Sequence, residues 1–233
     1  MNQNQKFEII SYKIDYLKLI VYRTKNKMSW PPDQIKPPVF CDITEKIKED
    51  FNIVDRKAII NHQGLGINSL FNQKMYIDFR GEFLLRNGYE YIKNLLKYLE
   101  DKDIKYKFTR IDIAVDYRNF ELLPFKEKKS YFGKFKKSTV LIPEKYRADL
   151  EKQTEWLQLN SKNQIVFYDK TKEILQSKNK EKSSLYPDEY RNGQVYRCEL
   201  RLIKQEMLII SSQYTEQDII DNELKDFYKR NPF

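Results

Sequence analysis

Histidine and cysteine are nearly missing from this chain: 233 residues contain one histidine, His62, and two cysteines, Cys41 and Cys198. A single imidazole excludes a metal site built on paired histidines. The two cysteines lack zinc-type spacing, and in a reducing compartment they are expected as unpaired core residues. His62 stands in a turn-like Asn-His-Gln-Gly stretch and reads as an ordinary loop residue. No run approaches the ~18 consecutive apolar residues that suggest a membrane-spanning helix. The opening MNQNQKFEIISYK is polar and has no signal-peptide core, so a cytoplasmic location and no membrane partner are expected. Neither an internal repeat nor an N-terminal helix-turn-helix pattern is visible.

What the chain does have is positive charge and aromatic rings. Lysine and arginine number 43 against 34 acids, a net charge of +9. Such an excess points to an anionic partner, most often nucleic acid, although solvated lysine faces also produce it. The 17 tyrosines and 14 phenylalanines can supply stacking platforms for unpaired bases; most of them are needed simply to fill a core.

Periodicity gives a coarse map. IDYLKLIVYR (14–23) reads as a strand after an N-terminal tail over 1–13. SWPPDQIKPPVF (29–40) holds four of the eight prolines and cannot be a regular element. ITEKIKEDF (43–51) suits a short amphipathic helix. Residues 56–71 read as two strands around a glycine turn, and 74–85 as a strand broken near Gly81. Apolar residues at 91, 92, 95, 96 and 99 form a helical stripe within 87–104. FTRIDIAVDYRNF (108–120) is a clear strand. TEWLQLNSKNQIVFYDK (154–170) looks like a hairpin with its tip at 160–163. SKNKEKSSLYPDEYRNG (177–193) reads as a polar, mobile loop, QVYRCELRLIK (194–204) as a strand, and 206–233 as a C-terminal helical segment. Strands with a central and a C-terminal helix imply an α+β fold with an antiparallel β-sheet, its main domain over 14–205.

Side chains alternate across a strand. Arg110, Asp112, Ala114 and Asp116 therefore share one face, and Ile111, Ile113 and Val115 the other. The same rule groups Arg197, Glu199 and Arg201, with Cys198, Leu200 and Leu202 behind them. It also groups Gln164, Val166, Tyr168 and Lys170. Strands of this kind suit a polar cleft over a sheet. The plain alternative is cross-strand ion pairing on an exposed face, worth at most about 1 kcal/mol per pair. Residues four apart on a strand lie ~13 Å apart, and neighbouring strands ~4.8 Å apart. Asp112 and Asp116 thus cannot meet at one point on a straight strand, whereas either of them can meet Glu199 if their strands pair.

The order RIDIAVD, FYDK, YRCELRL resembles the replication initiation factor family, whose patterns are approximately R-x-D-x-x-x-D, Y-D-K and R-x-E-x-R/K. These are rolling-circle initiators of small plasmids and phages and related relaxases of conjugative elements. The likeness covers roughly 14–205. It implies the rolling-circle initiator nuclease fold and a nicking and joining reaction. A tyrosine hydroxyl attacks a DNA phosphodiester, stays on the 5′ phosphate and leaves a 3′ hydroxyl for a polymerase. The expected substrate is a single-stranded or supercoiled DNA origin. A host helicase and polymerase are further expected partners, with a homodimer as a possible assembly.

The resemblance also implies roles. A divalent metal would polarise the phosphoryl oxygen; hard oxygen donors favour Mg2+ or Mn2+. Asp112 and Glu199 are the expected ligands, with Asp116 as a second ligand or orienting group. Lys170 is expected to neutralise the scissile phosphate, or else to be a solvated surface lysine. Arg110 and Arg197 contact phosphate or brace the carboxylates. The chain departs from the family at the nucleophile: Trp156 stands where the tyrosine is expected, and indole cannot attack phosphorus. Tyr168 is the leading replacement, with a packing role as its alternative, and Tyr131 is an outsider. Tyr131 lies in KEKKSYFGKFKK, where Lys128, Lys129, Lys134, Lys136 and Lys137 form a candidate DNA-binding segment or a solvated loop. Three functions compete: a metal-dependent DNA strand transferase, a DNA-binding relative without cleavage (a repressor or accessory replication factor), and an RNA-binding or structural α+β protein whose charges are only ion pairs.

Overall fold

The computed structural model describes residues 8–22, 38–51, 61–62, 65–70, 74–119, 154–158, 163–177, 180–203 and 211–230. Eight strands lie in the order β2-β3-β4-β1-β5-β8-β7-β6. They are β1 (Glu8–Tyr22), β2 (Asn61–His62), β3 (Leu65–Leu70), β4 (Lys74–Arg80), β5 (Tyr106–Arg118), β6 (Thr154–Gln158), β7 (Gln164–Asp169) and β8 (Tyr196–Ile203). The helices are α1 (Pro38–Phe51), α2 (Gly81–Asp101), α3 (Lys170–Leu175), α4 (Lys180–Ser184), α5 (Asp188–Asn192) and α6 (Glu216–Arg230). Pairs β1–β4, β2–β3, β3–β4, β6–β7 and β7–β8 are antiparallel. The expected α+β class with an antiparallel sheet, a helix in mid-chain and another near the C-terminus is what the chain adopts.

Two compact units divide the chain. One comprises residues 16–110 and 205–219, the other 1–15, 111–204 and 220–233. In the first, Leu17, Leu19 and Val21 of β1 and Met75, Ile77 and Phe79 of β4 are buried, as period-2 alternation requires. Helix α2 supplies Phe83, Ile92, Leu95, Leu96 and Leu99 to the same core, and Phe83 meets Phe79 at 5.6 Å between ring centroids. The break expected near Gly81 is the passage from β4 to α2. The helix is kinked at Gly88, whose φ of 68° and ψ of 179° lie in a region open essentially to glycine.

In the second unit Ile111 and Ile113 of β5, Ile165 and Phe167 of β7, and Leu202 of β8 are buried. Asp169 caps α3: its Oδ1 accepts from the Lys172 N–H at 2.9 Å. Lys170 is thus the first residue of a helix rather than the last of a strand.

Several expectations are corrected. Residues 8–13, expected in the tail, belong to β1. The region 177–193, expected as a mobile loop, contains α4 and α5, because Tyr186 and Tyr190 are buried, with rings 5.4 Å apart. Cys41 is exposed and Cys198 half-buried, so neither is the core residue expected. Residues 23–37 and 120–150 lie outside the described residues, and with them Lys128, Lys129, Tyr131, Lys134, Lys136 and Lys137. Among the described residues no helix is long and apolar enough to cross a membrane.

Candidate functional site

The site lies in the second unit, and strand register builds it. Residues 156, 166 and 199 form one rung across β6, β7 and β8; residues 154, 168 and 197 form the next, and 158, 164 and 201 the one on the other side. Glu199, Arg197 and Arg201 therefore stand beside Val166, Tyr168 and Gln164. Tyr168 is a diagonal neighbour of Glu199, within reach of an aromatic side chain. Its hydroxyl donates to Glu199 Oε1 at 2.5 Å. Glu199 Oε2 accepts from Arg201 Nη2 at 2.7 Å and Nε at 3.1 Å. The Arg201 guanidinium also lies 3.6 Å from Asp112 Oδ2. Two carboxylates from different strands thus converge on one cation.

Asp116 has a different partner. Arg197 donates to its Oδ1 from Nε at 2.5 Å and to its Oδ2 from Nη2 at 2.8 Å, while Nη1 donates to Asp15 Oδ1 at 2.6 Å. Ser11 and Tyr190 hydroxyls complete the Asp116 shell at 2.9 and 2.8 Å. Both Arg197 and Asp116 are 0% exposed. Of the roles open to Arg197, this arrangement is the brace. Asp116, the expected second ligand or orienting group, is an acceptor already filled by a fork of charge-assisted donors. Its distance along the strand from Asp112 accounts for the division into two clusters.

Lys170 is 2% exposed, not a solvated surface lysine. Its ammonium donates to Glu173 Oε2 at 2.6 Å and stands over the Tyr168 and Tyr186 rings at 5.7 and 4.7 Å from their centroids. Arg110 belongs to the other unit, where its guanidinium stacks on Tyr16, 4.3 Å from the ring centroid. The backbone of β6 places position 156 opposite Val166. Strand alternation and the R-x-E-x-R pattern group Arg201 with Glu199 without giving it a role, and nothing in the local sequence marks Asp15, Ser11 or Tyr190 as part of the site.

Burial pushes the Tyr168 phenol well above its usual value, and Glu199, Asp15 and Glu173 push it further, with Arg197 opposing them. A phenolate is therefore scarce at neutral pH, and proton transfer to the adjoining carboxylate has to accompany any attack by this oxygen. Arg197 titrates well above its ordinary range: burial alone would lower it, but Asp15, Tyr168 and Asp116 outweigh that effect.

Asp116 and Asp15 are held below the usual carboxylate range. Burial would raise both, yet Arg197, with Lys13 in support, outweighs it. A carboxyl depressed in the folded state makes stability rise with pH through the window between its folded and unfolded values. The contribution is complete above the unfolded value of about 3.9 and disappears as pH falls through the folded values. The unfolding free energy of Asp116→Asn should therefore lie below wild type at neutral pH, and the gap should narrow in acid. Urea titrations at pH 7, 4 and 2.5 measure it; a gap unchanged at the lowest pH would contradict the arrangement.

Among the described residues no three histidine, cysteine or acidic side chains converge as a metal group. Asp112 and Glu199, the expected ligands, instead share the Arg201 guanidinium, and Glu199 also accepts from Tyr168, so a cation at this pair would have to displace the arginine.

No family model matches the chain, and no curated protein does so either. Among solved structures it is similar to a rolling circle replication initiator protein from Geobacillus stearothermophilus, at 14% identity and a TM-score of 0.47, over 94% of this chain and 85% of that one.

Proposed function

We propose that this protein nicks and rejoins DNA to start rolling-circle replication, with Tyr168 as nucleophile and Glu199 as its base. The observation that carries the reading is the 2.5 Å hydrogen bond from the Tyr168 hydroxyl to Glu199, with Arg201 anchored on the same carboxylate. Nucleophile, base and orienting group in a row are the arrangement that covalent catalysis requires. The motif order RIDIAVD, FYDK, YRCELRL supplies the substrate class.

In this reaction Tyr168 Oη attacks the phosphorus of a DNA phosphodiester as its proton passes to Glu199. The bond from phosphorus to the 3′ oxygen breaks, and that oxygen takes up a proton to become a free hydroxyl. The 5′ phosphate stays on the tyrosine. One phosphoester bond is exchanged for another, so the 3′ hydroxyl can later reverse the step. Arg201, 22% exposed as a side chain, is the cation that reaches the phosphate and stabilises charge on its oxygens. Lys170, buried on Glu173, serves the site as a counter-charge beneath the Tyr168 ring.

The same proposal includes Mg2+ or Mn2+ held by Asp112 and by the Glu199 oxygen that Arg201 vacates when it turns to the phosphate, where a bound ion would supply Lewis-acid polarisation of a phosphoryl oxygen. Manganese titration followed by electron paramagnetic resonance should reveal one site, weakened about 10-fold or more by Asp112→Asn or Glu199→Gln. Absence of any bound manganese would remove the metal from the scheme.

The nicking reading itself is tested with single-stranded DNA from the protein's own replicon, scoring a covalent adduct on denaturing gels. DNA binding without an adduct under every metal condition would leave a repressor or accessory replication factor in its place.

A further inference from the structure

Outside this site, the unit formed by residues 16–110 and 205–219 carries an arrangement that the reaction does not use. Register pairs Tyr16, Lys18, Ile20 and Tyr22 of β1 with Arg80, Asp78, Tyr76 and Lys74 of β4. These eight positions share one face, because the alternate residues Leu17, Leu19, Val21, Phe79, Ile77 and Met75 are buried on the other. On this face Ile20 is buried beside Tyr76. Tyr16, Lys18, Tyr22, Tyr76 and Asp78 are half-buried, and Lys74 and Arg80 are exposed. The face is built of rings with cations over them. Lys18 stands 5.1 Å from the Tyr76 centroid. Lys74 and Lys107 stand 5.8 and 5.4 Å from that of Tyr22. Its carboxylate, Asp78, accepts from Tyr16 at 2.7 Å and lies 3.6 Å from Lys18. Positive charge therefore dominates the face, and tyrosine rings are interleaved with it.

We infer that this sheet face binds single-stranded DNA, with Tyr22 and Tyr76 as stacking platforms and Lys18 and Lys74 as phosphate contacts. Tyr22 and Tyr76 occupy diagonal positions on paired strands, where side chains are ~7–8 Å apart. Two rings are thus offered side by side along one strand of nucleic acid. Relative strengths favour exchange. An exposed cation–ring contact shifts an equilibrium about 2- to 5-fold, whereas a base stacked on an aromatic shifts it about 5- to 150-fold. A base displaces the lysine from its ring, and the released ammonium meets the adjacent phosphate. An acidic peptide would satisfy the cations and leave the rings unused. A duplex would satisfy the phosphate contacts and offer no unstacked base. The choice of DNA over RNA rests on the nicking reading above.

The test is fluorescence anisotropy of the full chain with labelled oligo-dT and oligo-U over a salt series. Wild type should bind oligo-dT in preference to oligo-U. The double variant Tyr22→Leu, Tyr76→Leu should bind oligo-dT at least 10-fold more weakly. Lys18→Gln with Lys74→Gln, which leaves both rings in place, should flatten the log–log salt slope by about 0.7 for each phosphate no longer neutralised. Thermal melts establish that each variant is folded; if the tyrosine variant is not, the lysine variant decides. Unchanged affinity and salt slope, or a preference for oligo-U, would overturn the inference. Adduct formation accompanied by unchanged oligo-dT binding in both variants rejects this surface alone. Binding that both variants lose, without any adduct in wild type, rejects the nicking reading alone.

Discussion

Tyr168→Phe should form no covalent adduct with origin DNA, and Glu199→Gln should form it about 10²- to 10⁴-fold more slowly. The two effects differ in kind. Phenylalanine removes the only atom at that position able to bond phosphorus. Glutamine keeps the shape of the glutamate and an oxygen that accepts the Tyr168 hydrogen bond, but cannot take up its proton near neutral pH. Since burial and neighbouring carboxylates hold the phenol well above its usual value, the unassisted route through a preformed phenolate is slow, and loss of the base is felt in nearly full measure. Single-turnover adduct formation, resolved on denaturing gels, measures both. Adduct persisting in Tyr168→Phe would transfer the reaction to another tyrosine, with Tyr131 the first to be tested. Phosphopeptide mapping of the wild-type adduct would then identify the attachment site directly.

Arg197→Met should cost about 3–5 kcal/mol of stability, more than any other single change at the site. Arg197 is 0% exposed and donates to both Asp116 and Asp15. Removing it leaves two carboxylates with a buried share of negative charge and without their fork of donors. Arg197→Lys should recover only part of the loss, because an ammonium is a point charge and cannot span both oxygens of Asp116 in one plane. Arg197→Met combined with Asp116→Leu should be more stable than Arg197→Met alone, since the apolar pair removes one of the two carboxylates left unpaired. Denaturant unfolding of the four proteins measures the series. A cost below about 1 kcal/mol for Arg197→Met would mean that the network is solvated, as an exposed ion pair would be.

Much of the architecture was legible in the order of residues. Alternation in RIDIAVD and YRCELRL placed three charges of each strand on one face, and β5 and β8 appear where it required. The hairpin 154–170 is β6 and β7, and the stripe at 91–99 is the distal part of α2. These features depend on neighbours two to four positions away, so a window of a few residues contains their cause. The segment 177–193 differs from its expectation for the same reason in reverse. Helices α4 and α5 have five residues each, too short for a periodic stripe, and their order comes from Tyr186 and Tyr190 burying their rings against the rest of the unit.

Which charge meets which was decided only by folding. Local sequence placed Asp112, Asp116, Arg197, Glu199 and Arg201 on faces, and strand geometry separated Asp112 from Asp116. Nothing local could say that Asp116 takes Arg197, 81 positions away, or that Tyr190, 74 positions away, completes its shell. Asp15 joins the same arginine across 182 positions. Burial was equally out of reach: an alternating charged strand is compatible with a wet surface pair worth a fraction of a kcal/mol or with a dry one worth several. The residue pattern encodes the direction of each side chain, because direction is a property of one strand. Partner and dielectric are properties of what packs around that strand, and they exist only once distant segments have come together.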